Sequence, residues 1–116
     1  MRVLTESRVT AAGICPDEPF LERAPESVAR CFSVNTLGTF YAAQLAAAQM
    51  VQQKPSERTG GRGSIVFIAS IAAHVASKGQ TTSDYCSSKG AVVSLAKALG
   101  VELAAKNIRV NSISPG

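Results

Sequence analysis

Ser64-Ile65-Val66-Phe67-Ile68-Ala69-Ser70, a loop, and then Tyr85-Cys86-Ser87-Ser88-Lys89 form the stretch around which the rest of the chain reads. The first part is apolar, rich in β-branched residues, and ends in a hydroxyl. That composition suits a buried parallel strand better than a half-solvated one. The second part opens a long, nearly uncharged helical pattern. Tyr85 and Lys89 stand four residues apart, so a helix puts them on one face, one turn from each other. An ammonium beside a phenol favours the phenolate. A serine at the end of the neighbouring strand adds a second hydroxyl to the same spot.

Working outward, Val9-Thr10-Ala11-Ala12-Gly13-Ile14 reads as the end of a buried strand running into a turn. Gly13 permits close backbone approach there. The preceding Thr5-Glu6-Ser7-Arg8 is too polar for a central strand. Pro16, Pro19 and Pro25 mark a loop, and a helix is expected from Pro25 to Met50, with Glu26 suited to its positive end. No charged residue occurs from Cys31 to Met50, which predicts a helix covered on most sides, partly by a partner. Asn35 inside that apolar run needs hydrogen-bond partners, either structural or as part of a site. Residues 54–63 form a polar return loop. A second helix is expected over 83–105 and a third strand over Asn107–Ile113, with Ser114-Pro115-Gly116 as a turn. Strand, helix, strand, helix, strand with long crossovers requires parallel strands, as in half of a doubly wound α/β domain.

Composition removes several classes of function. The 116 residues are 46% hydrophobic with a net charge of +4, as in a modest globular domain. The basic residues are scattered and the aromatics few, unlike a nucleic-acid-binding surface. Cys15, Cys31 and Cys86 form no CxxC pair, so no zinc site or disulfide framework is expected, and the thiols read as free in a reducing compartment. No run is apolar enough to span a bilayer, and Met1–Glu6 lacks a leader's apolar core. The expectation is a soluble cytoplasmic protein without membrane, metal or nucleic-acid partners.

In order along the chain, several segments together resemble the classical short-chain dehydrogenase/reductase family. Thr10-Ala11-Ala12-Gly13 is similar to its Asn-Asn-Ala-Gly turn, and Val34-Asn35-Thr36-Leu37-Gly38-Thr39 to the helix holding its catalytic asparagine. Gly63 to Ser70 is similar to the strand ending in its catalytic serine. Tyr85-Cys86-Ser87-Ser88-Lys89 resembles Tyr-x-x-x-Lys, and Ile108–Ile113 with Ser114-Pro115-Gly116 resembles the next strand and its Pro-Gly turn. The resemblance implies a partial Rossmann-type parallel sheet of about three strands and two long helices, residues 1–116 forming one incomplete NAD(P)-binding domain.

It further implies an oxidoreductase using NAD or NADP on a small-molecule carbonyl or alcohol. Tyr85 would be the general acid/base and Lys89 would favour its phenolate and hold the nicotinamide ribose. Ser70 would bind the substrate oxygen, and Asn35 would hold a water in a relay reaching Lys89. Ala12, Gly13, Asn35, Tyr85, Lys89, Pro115 and Gly116 would line the dinucleotide, and the two long helices would pair copies into a homo-oligomer.

The chain departs from the pattern in places. Ala11 replaces the turn's second asparagine, and Phe67 replaces a smaller polar residue. The loop of Ile71 to Asp84 is long; its His74 is expected on the surface rather than on substrate. No glycine-rich phosphate turn precedes Val9, and Gly60, Gly61 and Gly63 precede a strand rather than a helix. The expectation is a nucleotide-binding half and a C-terminal end missing, with weak dinucleotide binding. The alternative is a catalytically inactive truncated form acting through its helix-pairing surface.

Overall fold

A computed structural model describes residues 6–116; the readings that fall on Met1–Thr5 lie outside them. Three strands, β1 (Ser7–Thr10), β2 (Gly63–Ile68) and β3 (Ile108–Ile113), form one open sheet in the order β1-β2-β3. Both pairings are parallel, with Thr10 opposite Phe67 and Ile68 opposite Ile113. All three strands therefore end on the same edge, where the loops after them meet.

The helices are α1 (Pro25–Phe32), α2 (Gly38–Met50) and α3 (Ser83–Glu102). The expected single helix from Pro25 to Met50 is interrupted by a π-helical turn, Ser33–Leu37, in which the Gly38 N–H reaches back to the Ser33 carbonyl. Such wide turns inside helices occur often at functional sites, and Asn35 is its buried residue. Along α2 the buried positions are Thr39, Ala43, Ala46 and Met50, a stripe of helical spacing. Its small residues let the helix lie close to the sheet. α3 offers Ser88, Lys89, Val92 and Ala96 in the same way.

Alternate strand residues Ile65, Phe67, Ile108 and Val110 meet these two stripes in one core, so α2 and α3 both cover one face of the sheet. Phe67 is fully enclosed; a change to alanine would cost about 3–5 kcal/mol. Gly63 lies against the α2 end, where an added Cβ would stand 2.2 Å from the Met50 sulfur.

Two local expectations need correction. β1 lies earlier than expected: Ser7 and Arg8 belong to it, while Ala11–Ile14 do not. It is an edge strand with only Thr10 buried, so its polar residues remain solvated. Within a single chain the sheet covers one face of α2 and leaves Phe40, Tyr41 and Leu45 exposed, Leu45 by 74%. Finally, Asn107 precedes β3 in the left-handed conformation (φ 57°), which asparagine tolerates better than most residues. Among the described residues, no helix is long and apolar enough to cross a membrane.

Candidate functional site

Because the strands are parallel, the segments leaving their C-terminal ends converge, the usual place for a ligand in open α/β sheets. They enclose a cleft of about 370 Å³. From the β1 side come Ala11, Gly13, Ile14 and Cys15, from β2 Ile68 to Ile71, from β3 Pro115 and Gly116, and from α3 Tyr85 and Lys89. A larger hollow of about 1030 Å³ lies at the strands' opposite ends, among Lys54, Arg58, Arg62 and Arg109. None of the candidate catalytic or cofactor-binding residues lines it, so the smaller cleft is the candidate.

Ser70 follows β2 as the cap of a short 3-10 turn, its Oγ accepting from the Ala72 N–H at 3.1 Å. With the oxygen so engaged, the hydroxyl proton stays available to an acceptor in the cleft. Tyr85 and Lys89 project from α3 one turn apart, and the Lys89 ammonium lies 5.9 Å from the Tyr85 ring centroid. The ammonium donates to the Ile68 carbonyl at 2.8 Å, which leaves it two further protons. Burial lowers the Lys89 pKa from its ordinary 10.5, and the nearby Cys31 opposes this weakly. A buried ammonium with unused donors is costly unless something in the cleft receives them.

Asn35 sits beneath the cleft, fully buried. Its Oδ1 accepts from the Ile14 N–H at 2.8 Å, and its Nδ2 donates to the Ile14 carbonyl at 2.8 Å and to Ser88 Oγ at 2.9 Å. The Ser88 hydroxyl in turn donates to the Tyr85 carbonyl at 2.8 Å. The side chain thus copies a strand partner for Ile14 and ties the loop after β1 to α3. Its main-chain carbonyl accepts from Thr39 Oγ1 at 2.9 Å. Gly13 closes the arrangement: a Cβ there would stand 3.3 Å from Asn35 Oδ1 and 3.4 Å from Lys89 Nζ. Bare backbone at this point keeps the Lys89 ammonium reachable.

Gly13, Ser70, Tyr85, Lys89, Pro115 and Gly116 thus share one cleft; Ala12 is exposed and does not line it. His74 is exposed, its Nε2 3.1 Å from Ser114 Oγ, and it too lies outside the lining. Sequence reasoning missed a buried ion pair beside the cleft, Arg23 with Asp84 at 2.7 Å. Its only signal was an acid one residue before Tyr85, because nothing in the spacing joins Arg23 to it. Cys15, also unforeseen in the cleft wall, has its thiol pKa raised, mainly by burial and then by Asp17 and Asp84. No group of three metal-ligating side chains occurs among the described residues.

A family model described as short chain dehydrogenase matches residues 5–116. The (3R)-3-hydroxyacyl-CoA dehydrogenase of Rattus norvegicus is 42% identical over 108 residues, which is 93% of this chain and 39% of that protein. L-rhamnose 1-dehydrogenase (NAD(P)(+)) of Sphingomonas sp. (strain SKA58) is 41% identical over the same shares. A crystal structure of a short-chain type dehydrogenase/reductase from Mycobacterium marinum superposes with a TM-score of 0.88 at 42% identity, covering 96% of this chain and 42% of that one. The chain spans about two-fifths of the length of the curated relatives it matches. With the family model spanning nearly every residue, the chain belongs to the short-chain dehydrogenase/reductase family.

Proposed function

We propose that this chain carries the proton-transfer half of an NAD- or NADP-dependent oxidoreductase that interconverts a small carbonyl compound and its alcohol. The observation that supports this most is the sharing of one cleft by Ser70, Tyr85 and Lys89 at the strands' C-terminal ends. In reduction, the Ser70 hydroxyl donates to the substrate carbonyl oxygen and fixes it beside the Tyr85 phenol. Tyr85 then gives its proton to that oxygen, and in oxidation it takes the proton back. The Lys89 ammonium favours the phenolate left behind. Asn35 holds the cleft wall through Ile14 and helps hold the water of a proton relay that reaches Lys89.

The residues present fit a nicotinamide dinucleotide: the missing side chain at Gly13 leaves space beside a buried ammonium with unused donors. Gly13, Tyr85, Lys89, Pro115 and Gly116 would hold it, with Ala12 and Asn35 supporting that turn. When bound, the nicotinamide supplies or accepts the hydride. The name of the Sphingomonas relative, which cites NAD(P)(+), agrees with either dinucleotide.

A homo-oligomer through the long helices is part of the proposal. It is supported by Phe40, Tyr41 and Leu45 on α2 and Val101 on α3, all exposed. The test is turnover of secondary alcohols and ketones with NAD(H) or NADP(H), comparing the parent with Ser70→Ala. Loss of an oxyanion donor is expected to lower kcat about 100- to 1000-fold. An unchanged kcat, or a parent that turns over nothing at any dinucleotide concentration, would overturn the reading.

A further inference from the structure

Tyr85 lies in the first turn of α3, where a helix normally frays. The capping residue, Thr82, gives that turn no side-chain hydrogen bond. Order at this point must come from elsewhere. Asp84 supplies part of it: Oδ1 accepts the otherwise unpaired N–H of Tyr85 at 2.8 Å. Its other oxygen, Oδ2, meets Arg23 Nη1 at 2.7 Å, with the two side chains 2% and 3% exposed.

Arg23 belongs to the long loop that follows the cleft residues Gly13–Cys15. This loop has little apolar anchorage, for Phe20 and Leu21 are 75% and 95% exposed. Polar ties hold it instead, most of them to residues 81–84. Arg23 Nη2 donates to the carbonyls of Glu18, at 2.7 Å, and of Thr81. The Glu18 N–H donates to the Thr81 carbonyl at 3.1 Å. Asp17 Oδ1 accepts from the Thr81 N–H at 3.0 Å and from its hydroxyl at 2.6 Å. One guanidinium thus grips its own loop, the approach to α3, and the residue before Tyr85.

We propose that Arg23 and Asp84 are positioning residues for Tyr85, locking the loop after β1 onto the first turn of α3 so that the phenol is held in the cleft wall. The inference rests on Tyr85 acting as the acid/base. A buried ion pair is a poor device for stability alone, since apolar residues of similar volume often serve as well. It is a good device for fixing one direction. Arg23 Nε and Nη1 and Asp84 Oδ2 are buried without a hydrogen bond of ordinary geometry among the described residues, so the two side chains are joined as an ion pair, with Nη2 making the guanidinium's hydrogen bonds.

The test uses the chain labelled with 3-fluorotyrosine, whose two tyrosines, Tyr41 and Tyr85, give two ¹⁹F resonances assigned with Tyr41→Phe. The variants are Asp84→Asn, Arg23→Met, and the double apolar replacement Arg23→Met/Asp84→Leu, which keeps the chain folded if the single changes leave a charge buried. The expected result is loss of the single narrow Tyr85 resonance, by broadening or splitting, with Tyr41 unmoved and the double variant melting like the parent. In turnover the same variants should lose kcat, up to roughly a hundredfold for a misplacement of about 1 Å, with KM for the dinucleotide little changed. A double variant with a parent-like Tyr85 resonance overturns the proposal. So does one in which Tyr41 changes equally or the chain unfolds, because the pair then supports the whole fold. The resonance readout needs no turnover, so failure of the acid/base reading is seen separately, as a Tyr85→Phe chain with undiminished rate.

Discussion

Asn35→Ala tests the joint on which the cleft depends. The fully buried amide makes three strong bonds, two to the Ile14 backbone and one to Ser88 Oγ, each 2.8–2.9 Å long. Its further contact to Cys31 Sγ, at 3.5 Å, adds little. Each bond is worth about 1 kcal/mol net, and a buried group left unpaired costs about 1–3 kcal/mol. Ile14 is only half-buried, so water can replace part of what it loses, whereas Ser88 is fully enclosed and retains its bond to the Tyr85 carbonyl. The loss expected is roughly 2–4 kcal/mol. For a domain of this size that lowers Tm by about 8–16 °C. Urea denaturation monitored by circular dichroism measures it, with Thr39→Val as a comparison that removes one bond to the Asn35 carbonyl and should cost about 1 kcal/mol. Amide exchange at Ile14 should accelerate in the first variant and not in the second. A loss below about 1 kcal/mol for Asn35→Ala, or an Ile14 amide as protected as before, would refute the account of Asn35 as the tie between loop and helix.

Gly63→Ala should cost about 1–3 kcal/mol, because its Cβ would overlap the enclosed Met50 side chain at 2.2–2.7 Å; an unchanged urea midpoint would show that Met50 yields freely. Asp17 titrates below its ordinary 3.8, chiefly through the hydroxyl and then the backbone N–H of Thr81. A carboxyl with a depressed folded pKa adds stability above the unfolded value, and this is lost as pH falls through the folded one. Stability of the parent should therefore drop more steeply below about pH 4 than that of Asp17→Asn, and parallel acid curves would count against the Asp17–Thr81 tie. Leu45→Glu should convert a dimer to a monomer in sedimentation experiments, since it puts a charge on the exposed apolar face of α2; an unaltered sedimentation coefficient in a dimeric parent would place the interface elsewhere.

The parallel β-α-β-α-β order was legible because its signals are local and strong. Ser64–Ile68 is too apolar to be solvated on either face, Pro25 opens a helix, and the apolar, nearly uncharged run after Tyr85 packs against a sheet. Element ends were less legible. The polar Ser7 and Arg8 looked unfit for a central strand, and they stand in an edge strand that leaves them in water. The π turn at Ser33–Leu37 carries no compositional mark, since it redistributes backbone bonds without needing a special residue. Within the site, Ser70, Tyr85 and Lys89 were readable from a strand end and a helical spacing. That Asn35 spends its side chain on Ile14 and Ser88 was not, because its partners are distant in sequence and two of the bonds go to backbone. Arg23 and Asp84 were hidden for a similar reason: a buried ion pair between a loop and a helix has no period.

The central claim is that Tyr85 moves the proton in a nicotinamide-linked oxidoreduction. The most direct measurement is kcat of Tyr85→Phe against the parent, with matched saturating dinucleotide and substrate and with ¹⁹F or circular dichroism evidence of an unchanged fold. Removal of one hydroxyl, at the end of a ring that keeps its place beside Lys89, is expected to lower kcat by about 100- to 10,000-fold. A Tyr85→Phe chain turning over at the parent's rate would contradict the account.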